Sequence, residues 1–249
     1  MPVETTELII YGAEHRPEDE SSAVGGGIDV TARPFDAEIV TPGNIQIHSS
    51  GADTRTATAR YRGNDGLIYS QMETLDGVNV VLWDPAITAE RLIEVTLSAT
   101  HGSNVVSLET AGGGTTLHTF APSETKAFRL FIAAFSTTSE KPYYEKLFYK
   151  NVDPLVALQA AQFRATADPG SKLAVALETT VDGTGESTNR ITVPAAGIGS
   201  WTEEGIDLAI PGTNLAAGSA IGFWARLTLA ANEVPLKNTG TYQLRGQSA

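Results

Sequence analysis

The chain has no cysteine and only two methionines among its 249 residues. Without thiols, disulfides, thiolate metal sites and cysteine nucleophiles are excluded together, and a β-rich chain of this kind is expected to fold in a reducing cytosol. Charge is sparse as well. Charged residues make up 18% of the chain, against about 25% in an average globular protein. Basic residues are the scarcer sign: 17 Lys and Arg against 29 Asp and Glu give a net charge of −12. The bases are scattered singly, so no nucleic-acid groove is expected, because phosphate binding needs a concentrated Lys/Arg surface. The simpler consequence of the acidity is solubility; the functional one is docking onto a more basic protein surface. Long apolar runs are also missing, and nothing approaches the roughly 20 residues of a membrane helix. Met1-Pro2-Val3-Glu4-Thr5-Thr6-Glu7 has neither a basic nor an apolar leader region, so no signal peptide is expected.

What is present is enough to build a core. A hydrophobic fraction of 41% over this length allows one large or two modest domains, and 24 glycines with abundant Thr, Ser and Ala favour turns and strands. Asn44–His48 alternates, with Ile45 and Ile47 on one face. Thr54–Arg62 and Leu67–Leu75 flank Gly63-Asn64-Asp65-Gly66, the strongest hairpin signal in the chain. Further strands are expected at Ile28–Ala32, Val78–Trp83, Arg91–Leu97, Asn104–Thr110, Lys126–Ala133, Tyr143–Asn151, Leu173–Glu178, Arg190–Val193, Ile206–Ile210, Ile221–Leu229 and Gly240–Leu244. Leu155–Thr166 fits a helix by its alanines and a strand pair by context; the strand pair is adopted. Turn signals recur every ~8–12 residues, as in a sandwich, and no strand–helix alternation of an α/β enzyme is visible.

The expected architecture is therefore all-β: two antiparallel β-sandwich domains, Ig-like or jelly-roll-like, behind an extended N-terminal arm. The arm covers residues 1–26. Thr6–Tyr11 could pair as one strand, His15–Ser22 has little to bury, and Gly25-Gly26-Gly27 reads as a flexible break. The first sandwich is placed at 27–138 and the second at 139–249, with Ser136–Pro142 as the linker. Phe148, Leu173, Val175, Leu177, Phe223, Leu227 and Trp224 are the candidate core of the second.

No residue set carries chemistry, so the expectation is no catalytic, cofactor-binding or metal-binding residue and no enzyme. His15, His48, His101 and His118 are far apart, never in a His-x-His or His-x3-His spacing, and read as solvated surface imidazoles rather than metal ligands. Gly197-Ile198-Gly199-Ser200-Trp201 has its serine in the wrong place for a nucleophile elbow. Glu203, Glu204, Asp207, Asp182, Glu186 and Asp153 offer carboxylates for a glycosidase pair, but an acidic protein scatters such groups over its loops. Asp182-Gly183-Thr184-Gly185-Glu186-Ser187 lacks the ligand alternation of an EF-hand and reads as a glycine-rich hairpin loop. Gly112-Gly113-Gly114 and Gly25-Gly26-Gly27 lack the Lys and following helix of a phosphate cradle.

Some segments are similar to structural proteins of tailed-phage virions. The resemblance is carried by Tyr143-Tyr144-Glu145-Lys146-Leu147-Phe148-Tyr149-Lys150-Asn151, the Asp168-Pro169-Gly170-Ser171-led strand to Leu177, and Gly218–Leu229. Gly43–Thr54, with its Ser-Ser-x-x-Asp-Thr, and Gly63–Gly66 also resemble Ig-like modules of such proteins. The resemblance spans about 200 residues, in diffuse strand signatures. It implies a non-enzymatic virion component assembled in the host cytoplasm: a capsid decoration or cement protein on the outer face of the major capsid protein lattice. Its partners would be the major capsid protein and neighbouring copies of itself, a homo-oligomer for which a trimer suits a threefold lattice site; no nucleic acid and no membrane are expected. A neck, tail or baseplate role is the alternative within the virion. A carbohydrate-binding sandwich is the alternative of another class, for which three Trp and seven Tyr are a thin supply of stacking platforms.

Overall fold

The computed structural model describes residues 3–16, 19–131, 138–167, 172–194, 196–233 and 240–248. Asp168-Pro169-Gly170-Ser171 and the Ser136-Thr137 part of the expected linker lie outside them. The fold is all-β, with eighteen strands and one short 3-10 turn, at Thr5–Glu7, among the described residues. The chain divides into two compact units, but not at the expected places. One unit is residues 30–130; the other combines 1–29 with 131–249.

Residues 30–130 form a sandwich. One sheet has the order β10 (Thr116–Phe120), β9 (Val106–Thr110), β4 (Ile45–Ser49), β7 (Val81–Leu82). The other has the order β3 (Ala32–Pro34), β11 (Lys126–Phe128), β8 (Ala89–Leu97), β5 (Thr56–Gly63), β6 (Ile68–Thr74). All pairs are antiparallel except β3 with β11. Alternation explains the layers. Ala57, Ala59 and Tyr61 of β5 and Leu92, Val95 and Leu97 of β8 meet Ile45, Ile47, Val106, Leu108, Leu117 and Phe120 from the facing sheet in one continuous apolar core around Trp83. The Gly63–Gly66 turn joins β5 and β6 as the sequence predicts, with Gly66 at positive φ. Strand β10 has no counterpart in the sequence reading. Of the Lys126–Ala133 run, Lys126–Phe128 is strand and Arg129–Phe131 is not; Ile132 and Ala133 lie outside the described residues.

The second unit is built around β12 (Lys141–Asn151), which sits in the middle of a six-stranded sheet. The order is β14 (Leu173–Val181), β17 (Ala220–Leu229), β12, β1 (Leu8–His15), β2 (Val24–Asp29), β15 (Glu186–Ser187). Every pairing is antiparallel. A three-stranded sheet of β16 (Leu208–Ala209), β13 (Leu158–Ala167) and β18 (Thr241–Ser248) packs against it through Phe163 and Tyr242, which meet Phe223 at ring centroids of 4.5 and 5.1 Å. Phe148, Val175, Leu177, Phe223 and Trp224 are buried as expected, whereas Leu173 and Leu227 are half-buried.

The arm is the main correction. Leu8–Gly12 pairs with Asn151–Leu147, so the N-terminal segment is an inner part of the sheet of the second unit. Gly25-Gly26-Gly27 lies inside β2 and is no break. Gly25 and Gly26 have φ of +107° and +84°, and a Cβ on Gly25 would meet the Gly185 carbonyl at 2.4 Å and Trp224 at 2.9 Å. Glycine is there for close approach and for a backbone that side chains disfavour. His15–Ser22 also has partners: Arg16 Nη1 is 3.1 Å from Asp29, and Glu20 accepts from Lys141 Nζ and the Tyr143 hydroxyl. Three smaller corrections follow. Leu155–Thr166 contributes a single strand, β13. Ile206–Ile210 and Val78–Trp83 shrink to two-residue strands. Arg190–Val193 is a turn whose arginine points inward.

Candidate functional site

The central strand β12 is buried on both faces, and alternation sends its adjacent charges Glu145 and Lys146 to opposite sides. Each must be neutralised inside the protein. Lys146 Nζ lies 2.7 Å from Glu178 Oε1, with both side chains fully buried. It also donates to the carbonyls of Gly26 (2.7 Å), Gly185 (3.1 Å) and Gly183 (3.2 Å) and lies 4.6 Å from the centre of the Phe148 ring. Glu178 Oε1 accepts the Gly185 N–H as well. The Asp182–Ser187 loop thus wraps a cation after all, but the cation is a lysine ammonium. Burial lowers the Lys146 pKa against the opposing pull of Glu178. Gly222 makes the room: a Cβ there would meet Glu178 Oε2 at 2.2 Å.

On the opposite face of β12, Glu145 Oε1 lies 2.7 Å from Arg190 Nη2 and accepts the Phe131 N–H. Burial raises the Glu145 pKa, against the pull of Arg190. The Arg190 guanidinium is 5.3 Å from the centre of the Tyr143 ring. Tyr143 in turn donates to Glu20, which Lys141 also holds.

The unit of residues 30–130 has its own buried group. His118 is fully buried, with Nε2 2.6 Å from Glu124 Oε1 and Nδ1 3.0 Å from Asp36 Oδ2. Glu124 also accepts the Ala121 N–H and lies 3.3 Å from Arg33 Nη1. Burial alone would lower the His118 pKa, but the two carboxylates raise it above its ordinary value. Asp36 is affected in the same way: burial would raise it, and the His118 contacts bring it below the usual carboxylate range. The expectation of four solvated imidazoles therefore fails at His118 and at His101, whose ring nitrogens face the carbonyls of Asn104 and Ala121. His15 and His48 are half-exposed or partly exposed, beside Glu186 (3.0 Å) and Glu109 (3.4 Å).

The carboxylates weighed for catalysis are dispersed. Asp153 accepts the N–H groups of Leu155 and Val156, Asp182 accepts the N–H of Ala220, Asp207 pairs with Arg245, and Glu186 is with His15. Glu203 and Glu204 are exposed on their loop. Among the described residues, no group of three or more His, Asp or Glu side chains is arranged to hold a metal ion. No helix among them is long and apolar enough to cross a membrane. Trp83 and Trp224 are buried, and Trp201 lies against Tyr144 and Arg226.

Sequence reasoning missed Lys146, Glu178, Glu145, Arg190 and the His118 cluster. One signal was available: a Glu-Lys pair inside a strand apolar on both faces puts both charges indoors. Their partners lie 32 and 45 positions away and leave no local trace. No family model and no curated protein matches the chain. Among solved structures, Bacillus subtilis oxalate decarboxylase, studied for its Mn(II) centres, is 7% identical over 93% of this chain and 79% of that one. Its TM-score of 0.16 carries no argument.

Proposed function

We propose that this chain is a non-enzymatic structural protein of a tailed-phage virion, a capsid decoration or cement protein bound to the outer face of the major capsid protein lattice. The observation that best supports the reading is the use made of the chemistry-bearing side chains. Lys146, Glu178, Glu145, Arg190, His118 and Glu124 are all turned inward and tie strands to one another or to a turn, an arrangement that serves a mechanically braced body. The segments that resemble virion proteins coincide with this frame. Tyr143–Asn151 is the central strand, and Gly218–Leu229 contains its long partner β17. A cement protein adds contacts to an assembled lattice, where many copies make removal cooperative.

Residues 8–15 and 24–29 are paired within the chain, so the lattice contact is assigned to the folded body and not to an N-terminal arm. Purified protein added to heads that lack it tests the proposal. Saturable binding with a stoichiometry set by the capsomers, and slower head disruption on heating, are expected. Heads that bind none of it would reject the decoration role, and binding confined to isolated tails or necks would move the protein to that part of the virion.

A further inference from the structure

Strand β6 ends the five-stranded sheet, bonded to β5 on one side and, among the described strands, to none on the other. Its ladder runs without a bulge from Thr56↔Thr74 to Arg62↔Ile68. The Leu67 carbonyl accepts from Gly63 N–H and the Leu75 N–H donates to the Arg55 carbonyl, at 2.9 and 2.8 Å. Odd-numbered residues therefore turn their backbone groups to β5, and by alternation Ile68, Ser70, Met72 and Thr74 turn theirs to the open side. Such edges are ordinarily blunted by Lys, Pro or a bulge, and β6 has none of these. Six of the twelve large apolar residues found exposed lie between Leu67 and Leu82, with Ile68 56% and Met72 65% exposed on β6 itself.

We propose that β6 pairs with β6 of a second copy of this chain, antiparallel about a two-fold axis through Gln71. In this register Ile68 faces Thr74 and Ser70 faces Met72 of the second copy, so every open backbone N–H and C=O of the four residues gains a partner. A shift of two residues either way leaves Ile68 or Thr74 unpaired, and a shift of one turns the bonding groups out of phase. Charge also favours a copy as the occupant. Glu73, the one charged residue of β6, comes opposite Tyr69 and clear of its own counterpart, and Ile68 and Met72 share a face with small neighbours. The interface is isologous and self-complementary. It stands on strand geometry and the placement of Glu73, and holds whether or not the chain is a virion protein.

The absence of cysteine gives the test. Gln71→Cys places one thiol in a non-hydrogen-bonded pair, where Cα atoms approach to about 4.5 Å, within disulfide range. Thr74→Cys places its thiol about 20 Å from its counterpart, six residues along the strand. On oxidation of the full chain, Gln71→Cys should give a species of twice 26.3 kDa on a non-reducing gel and Thr74→Cys should not. Sedimentation equilibrium of the unmodified chain should give a dimer, and Met72→Lys, which leaves the β5 ladder intact, should weaken it at least tenfold. Met72→Lys decides the matter should loss of the Gln71–Tyr61 hydrogen bond unfold Gln71→Cys. A monomer throughout the micromolar range, an oligomer insensitive to Met72→Lys, or equal cross-linking at positions 71 and 74 would overturn the proposal. So would dimerisation seen only with a different protein on β6.

Discussion

The two units bury charge in different ways. Residues 30–130 close around one continuous apolar core that draws on both sheets, and their buried histidine–carboxylate group involves β10 and the turn before β11. The other unit has two buried ion pairs leaving its central strand on opposite faces, between apolar clusters such as Val24, Tyr144 and Trp224. The difference follows the chain path. Residues 30–130 are contiguous, whereas the other unit is assembled from segments that the chain separates by that whole stretch. Bringing such segments together costs loop-closure entropy, and apolar contacts alone specify register weakly where glycine is frequent. Lys146 bonds carbonyls in β2 and in the Asp182–Ser187 loop and so fixes three separate segments at one point.

Removing the ammonium should have the largest effect. Lys146→Met leaves Glu178 buried without its partner and should cost about 3–5 kcal/mol, read as a loss of stability in denaturant with the residue 30–130 signals following separately if the units unfold independently. An ordinary buried pair can be exchanged for apolar residues at little cost. Here the double variant Lys146→Met/Glu178→Leu should remain destabilised by about 1–3 kcal/mol, because the Gly26 and Gly183 carbonyls lose the lysine donor and the Gly185 N–H loses its carboxylate acceptor. Full recovery in the double variant would reduce the lysine to a simple ion-pair partner.

Filling the space beside that pair should have a smaller effect. Gly222→Ala drives a methyl against Glu178 and the Lys146 stem and should cost about 1–3 kcal/mol by overpacking. Chemical denaturation of the variant measures it, and an unchanged midpoint would mean that the pair is free to move aside.

The smallest effect should be that of pH on residues 30–130. The folded-state pKa of His118 is raised above the reference 6.5, so the protonated ring contributes fully below that value and its contribution is lost as pH rises through the folded pKa. Asp36 has the opposite sign. Its folded pKa is lowered from 3.8, so its contribution is present above that value and lost as pH falls through the folded one. Thermal unfolding followed from pH 5 to 9 should show stability falling toward the alkaline side, and His118→Gln should flatten the slope. A slope that survives the substitution would assign it to another group.

Strands that carry their own pattern were legible in the sequence. The Gly63–Gly66 hairpin, β4 with its alternating isoleucines, and β12, β14 and β17 lie close to where period and turn chemistry put them. What escaped depends on distant partners. Gly25-Gly26-Gly27 looks like a break because glycine marks turns wherever nothing presses on the backbone; here the Gly185 carbonyl and Trp224 press on it. Arg190–Val193 looks like a strand, yet the arginine is drawn inside by Glu145, 45 residues earlier. His118 follows Leu117 in β10, and both are buried, so no alternation announces that strand. The exposed apolar residues between Leu67 and Leu82 fall within two expected strands, Leu67–Leu75 and Val78–Trp83, and sequence period does not reveal which strand ends a sheet.

Counting copies of the chain in purified particles, by quantitative gel against the major capsid protein, tests the central claim most directly. A lattice decoration protein predicts a number that scales with the capsomers, many copies per head. A chain absent from the particle, or present as a small fixed number at one vertex, would contradict it.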